Sequence, residues 1–169
     1  MRQGRGGVRQ VTVVGLLGAL LTVTKLALAW LPNIEPVSLL ILVYAAVLGR
    51  RAFGAVFVFV VLEVMLWGLN LWTLNYLYVW PLLVFLAYLL RRQESVLGWA
   101  VLAGAFGLSF GGLCALLYLP LEGWHYALVY WIQGIPFDLL HCVGNFVLTL
   151  VLFRPCRRVL DRLAQEVFL

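Results

Sequence analysis

Apolar residues fall along this chain in long blocks separated by short polar punctuation. The blocks cover about residues 11–30, 37–48, 52–69, 73–90, 96–119 and 134–153. A helix needs about 20 apolar residues to cross a bilayer. The pattern therefore predicts an all-α integral membrane protein, a compact bundle of six transmembrane helices in one domain, with a short second span. Residues 31–36 make a first loop with two prolines and Glu35, and Gly49-Arg50-Arg51 ends the second span. A tight uncharged turn follows at 70–72, arginines stand at 91 and 92, and proline and glycine at 120–123 close the fifth block. The aromatic stretch 124–133 is expected at the membrane surface, because Trp and Tyr favour the headgroup level.

Composition removes the soluble alternatives. The chain has 169 residues, 64% hydrophobic and 11% charged, with a mean hydropathy of +1.03. Soluble domains carry about a quarter charged residues, and no soluble domain fits beside the spans. The net charge of +5 is a matter of topology first, since basic residues in short loops stay in the cytoplasm. Eleven of the twelve Lys and Arg lie at the N-terminus, the second-to-third loop, the fourth-to-fifth loop and the C-terminus. Both termini are thus expected in the cytoplasm, in a multi-pass protein of the cell membrane, with no nucleic-acid partner. Ala27-Leu28-Ala29 imitates a signal-cleavage site, but the preceding run exceeds the usual 7–15-residue signal core and Lys25 interrupts it. The first span is expected to be retained.

The exception, Lys25, introduces the chemistry. On a rise of 1.5 Å per residue, Lys25, Glu63, Asp138 and His141 all lie ~6–10 Å below the outer ends of their spans. An ionisable group in the membrane normally faces protein or a water-filled cavity. In the sixth span Asp138, His141 and Asn145 stand at i, i+3 and i+7, which sets them on one helix face. Glu63 shares a face with Trp67 and Asn70, and Trp72, Asn75 and Tyr76 continue it at the mouth of the fourth span. Apolar walls with a few placed polar groups are what a small-molecule site needs. The candidate substrate-binding set is Glu63, Asn70, Trp72, Asn75, Tyr76, Asp138, His141 and Asn145. Each has a structural reading beside it. Lys25 and Glu63 can form a buried ion pair, Asp138 and His141 can satisfy one another, the aromatics can be an interfacial belt, and the amides can cap or pack helices. Gly15, Gly18 and Ala19 make a ridge of small residues on the first span, suited to close helix approach inside the protein or to docking of a partner.

Enzyme signatures are missing. There is no HExxH, GxSxG or Walker sequence and no carboxylate-rich metal motif, so no catalytic residue, metal or cofactor is expected. Cys114, Cys142 and Cys156 share no CxxC spacing and read as packing residues. Without a nucleotide site the chain cannot energise transport alone.

Three strings, LPNIEPVSLLILVYAAVLGRR (31–51), LNLWTLNYLYVWPLL (69–83) and GIPFDLLHCVGNFVL (134–148), together with six short spans in under 200 residues, resemble the substrate-binding S components of energy-coupling factor (ECF) vitamin transporters. The resemblance implies capture of a vitamin or related micronutrient from outside, in a pocket formed by the outer halves of spans four to six and covered by the first loop. It also implies docking onto a transmembrane coupling protein bound to two ATPase subunits. An Ala-xxx-Ala docking pattern frequent in that family is replaced here by Gly15 and Ala19. Two other functions use the same residues: a small intramembrane enzyme working through Glu63, Asp138 and His141, and an ion or proton conduit.

Overall fold

The computed structural model describes residues 2–31 and 33–168. Among them are six α-helices and no strand: α1 Arg2–Ala27, α2 Val37–Leu48, α3 Ala52–Trp67, α4 Leu71–Leu89, α5 Val96–Ala115 and α6 Tyr118–Phe168, with a 3-10 turn Gly49–Arg51 joining α2 to α3. Five helical stretches are long and apolar enough to cross a membrane. One of them, Val37–Trp67, contains both α2 and α3, which have only 12 and 16 residues.

Polarity is distributed as a lipid solvent requires. Leu16, Val23, Phe57, Leu77, Val101, Val143 and Val151 are exposed, whereas Glu63, Asn75, Asp138, His141, Asn145 and Thr149 are buried. Soluble monomers rarely expose so continuous an apolar surface. Buried polar groups need partners, and these are drawn to the centre where other helices can supply them. The protein is membrane-embedded.

Packing fixes the direction of each helix. Gly54 lies against Val14, Gly18 against Ala55 and Val58, and Lys25 against Glu63, so α1 and α3 run side by side in the same sense. Between them in sequence, α2 runs the other way, and its Tyr44 hydroxyl donates to the Leu17 carbonyl at 3.2 Å. Phe59 of α3 packs on Tyr76 and Trp80 of α4, with ring centroids 5.9 Å apart in each case. The closest pairing is α5 with α6. There Gly104, Gly107 and Gly111 face Cys142, His141 and Asp138 in an antiparallel register, and near the far end Trp99 stacks on Phe153 at 5.1 Å.

The two ends of the bundle differ in chemistry. At one end Arg51 lies over the Phe168 ring and Arg91 over Tyr88. Lys25, Glu35, Glu63 and His141 gather near the other.

Several boundaries differ from the sequence expectation. Residues 28–30 are not helical; tight turns such as Leu31 N–H to Leu28 carbonyl, 2.9 Å, fold this segment over the bundle end. The sixth helix is much longer than 134–153. A short helical segment from Tyr118 is broken at Gly123, whose φ of 82° and ψ of 173° are non-helical values that glycine tolerates, and the main helix runs on from there to Phe168. The expected interfacial stretch 124–133 is part of it. Past Arg154, Cys156, Leu160, Ala164 and Val167 recur at helical spacing and pack into the core or against it, so side-chain packing carries the helix beyond the hydropathy limit. Pro136 and Pro155 lie inside this helix; each removes one backbone donor.

Candidate functional site

At the end of the bundle that holds Lys25 and Glu63, a cavity of ≈ 320 Å³ is lined by α1, the first loop, the end of α3, α4, α5 and α6. The volume is at the small end of ligand sites, enough for a molecule of one or two rings.

The first loop makes one wall. Asn33 adopts φ 56°, a left-handed conformation that asparagine tolerates better than most residues, and its side chain donates to the Phe137 carbonyl of α6 at 3.0 Å. This bond ties the loop across to α6. Glu35 projects into the same cavity. Burial pushes its carboxyl up to about 7, with Glu63 acting in the same direction and Lys25 opposing.

Aromatic rings make the second wall. Starting from Trp67 at the end of α3, the sequence Trp67–Trp72, Trp72–Tyr76, Tyr76–Trp80, Trp80–Phe110 and Phe110–His141 is continuous, each centroid separation 6.4 Å or less. Lys25 crosses this wall. Its ammonium pairs with the Glu63 carboxylate and lies 4.1 Å from the Trp72 ring centre and 4.9 Å from that of Tyr76. The Lys25–Glu63 ion pair, which the sequence left open beside a ligand role for Glu63, is formed, and it also shapes the cavity.

The stripe on α6 separates into three roles. Asp138 accepts the Gly111 N–H at 2.8 Å, possible because a glycine leaves room for the carboxylate; its other oxygen has no partner among the described residues. His141 lines the cavity edge-on to Phe110, and neither ring nitrogen has a hydrogen-bond partner among the described residues. Asn145 donates to the Ser38 hydroxyl at 3.0 Å and toward the Ala103 carbonyl at 3.4 Å, joining α6 to α2 and α5. Asp138 and His141 do not satisfy each other.

Of the remaining candidates, Trp72 and Tyr76 line the cavity and Glu63 reaches it through Lys25. Asn75 lies outside the lining and accepts from the Tyr78 hydroxyl at 2.7 Å. Asn70 caps α4: its side chain accepts the Thr73 N–H at 3.1 Å while the Thr73 hydroxyl accepts the Asn70 N–H at 3.0 Å. Replacing Asn70 by Ala should cost about 1 kcal/mol of stability, the usual worth of such a cap, and leave ligand affinity unchanged. A melting curve beside a binding isotherm checks both; an affinity loss exceeding the stability loss would return Asn70 to the site.

Glu35, Asn33 and Phe110 were missed by depth and facing arguments. The available signal was an acid in a loop otherwise without charge. On α1, Gly18 is packed against α3, whereas a Cβ at Gly15 would meet nothing within 4 Å and Ala19 is half-buried. A second, larger groove of ≈ 680 Å³ between α5 and the start of α6 is lined by Leu, Ala, Gly and Trp with one hydroxyl, Ser109, and offers nothing to orient a polar ligand. Among the described residues no group of three or more His, Cys, Asp and Glu is placed to hold a metal ion. Comparison with protein-family models, with curated proteins and with solved structures gives no match to this chain, so its functional reading rests on the cavity itself.

Proposed function

We propose that this chain is the membrane-embedded substrate-binding subunit of an ECF-type importer, capturing a vitamin-like micronutrient from outside the cell. In this reading it crosses the cell membrane six times, with α2 and α3 as separate short spans. Both termini and the arginine end lie in the cytoplasm, and the cavity opens outward. A transmembrane coupling protein and two ATPase subunits complete the transporter, and Gly15 and Ala19 remain open on α1 for that contact.

The observation that carries the reading is the aromatic-walled cavity at the end of the bundle away from the arginines, with His141 at its edge lacking any partner. A buried polar group without a hydrogen bond costs about 1–3 kcal/mol, and a bound molecule would supply what is missing. The enzyme reading draws less support, because Asp138 and His141 do not form an acid–base pair and Cys114, a thiol near Asp138, is buried. The conduit reading also draws less: toward the arginine end the buried polar residues Asn145 and Thr149 give way to Phe153 stacked on Trp99.

The test is a thermal-shift panel of B-group vitamins and their precursors on purified protein without ATP. At least one compound should raise the melting temperature, and Trp72→Ala and His141→Ala should each reduce that affinity at least about tenfold, the equivalent of about 1.4 kcal/mol. A flat panel on protein with a cooperative melt overturns the proposal.

A further inference from the structure

The charges around the cavity do not cancel. Among the described residues Lys25 is the one Lys or Arg lining it, and that ammonium is already engaged by Glu63 and by the faces of Trp72 and Tyr76. The pair is neutral as a unit. Glu35, on a loop pinned to α6 by Asn33, must then share Lys25 with Glu63, which leaves two carboxyls against one ammonium. Burying a carboxylate that lacks a counter-ion is unfavourable, and the faces of the surrounding rings carry negative quadrupole, which attracts cations and repels anions. His141 adds one donor and one acceptor when neutral, both unmet.

Building on the binding-subunit reading above, we propose that the cavity selects an aromatic cation. The ligand is a one- or two-ring nitrogen compound whose protonated amine or amidine-like group lies against Glu35, whose ring packs among Trp72, Tyr76 and Phe110, and whose ring substituents exchange hydrogen bonds with His141. An anion of the same shape would meet Glu35 and the ring faces, with Lys25 already held by Glu63. A neutral isostere would keep the packing and lose the charge pairing.

The groups that face Glu35 are Lys25 from α1, Glu63 from α3, Tyr76 from α4 and His141 from α6, while α5 contributes the non-titrating Phe110. Because burial raises the Glu35 carboxyl to about 7, the charge that recognises the cation is present above that pH and lost below it. Affinity for a permanently charged probe should therefore fall as the medium is acidified through neutrality.

Benzamidine, benzamide and benzoate share one ring and one planar substituent and differ in charge, so they isolate this effect. Titrated calorimetrically into the intact protein in lipid nanodiscs above pH 7, benzamidine should bind about tenfold more tightly than benzamide, the advantage of a charge-assisted hydrogen bond over a neutral one. Benzoate should bind more weakly than either. Glu35→Gln should remove the preference for benzamidine and the acid-side loss of affinity together; a pH dependence that survives in this variant overturns the role given to Glu35. The charge order in the unsubstituted protein tests the proposal even if the variant folds poorly. Equal binding of benzamide and benzamidine, or tighter binding of benzoate, overturns it. If none of the three binds while a vitamin does, the cation inference fails and the binding-subunit reading stands; if neither set binds, both fail.

Discussion

Replacing Lys25 by methionine should lower stability by about 3–5 kcal/mol, the range seen when one partner of a buried ion pair is removed. The size follows from Glu63, which is fully buried and, among the described residues, takes one hydrogen bond, from Lys25, and has a second oxygen without a partner. Without the ammonium, that carboxylate must be protonated or remain charged among Phe59, Val60 and Tyr76. The reverse change, Glu63→Gln, leaves the ammonium on the rings of Trp72 and Tyr76 and at the edge of the cavity, with more exposure than Glu63 has, so its cost should be smaller. Combining Lys25→Met with Glu63→Gln should restore part of the lost stability, because the buried charge is gone and a neutral amide without a partner costs less than an unpaired carboxylate. Melting curves of the two single variants and the double variant in one detergent form the required cycle. Additive losses in the double variant would show that the two side chains act independently.

A comparable effect is expected where α5 meets α6. A Cβ built on Gly107 would lie 2.7 Å from the carbonyl carbon and oxygen of His141 and 2.9 Å from the Cys142 nitrogen. These are backbone atoms, so no rotamer change relieves the clash and Gly107→Ala must push the helices apart. Overpacking of this kind costs about 1–3 kcal/mol, and here it also displaces His141 from the cavity. Gly104→Ala meets Phe146 Cβ at 3.3 Å and the Cys142 carbonyl at 3.4 Å, which calls for a shift of only a few tenths of an ångström. Gly15→Ala meets nothing and should stabilise slightly through helix propensity, by up to about 1 kcal/mol. Melting temperatures should follow the order Gly15→Ala, unsubstituted, Gly104→Ala, Gly107→Ala, and only the last should lose ligand affinity. A Gly107→Ala protein that melts and binds normally would mean that α5 and α6 are not in this close contact.

The sequence made depth and facing legible, but not partnership. Hydropathy located every long helix, and the cost of polar groups in lipid correctly placed Glu63, Asp138, His141 and Asn145 in the interior. Which groups meet depends on how each helix is rotated about its axis, and an apolar run says little about that. Asn145 finds Ser38 across 107 residues of sequence, and Asp138 finds a backbone N–H exposed by Gly111 instead of the histidine one turn away. Glu35 escaped notice for the opposite reason. It stands in a loop, where an acid needs no explanation until the loop is seen to turn inward. The length of α6 was hidden because its last turns are amphipathic, and their packing partners lie on helices far away in sequence.

The bond from Asn33 to the Phe137 carbonyl has a consequence for biogenesis. The lysine, the first loop and most of the aromatic wall emerge early in synthesis, but the anchor of that loop and the imidazole at the cavity's edge belong to the last helix. A nascent chain whose first five helices are already in the bilayer has no closed cavity. On the binding-subunit reading, recognition of a ligand would require α6 to dock against the earlier helices, and ligand added during synthesis should stabilise the chain only after that step.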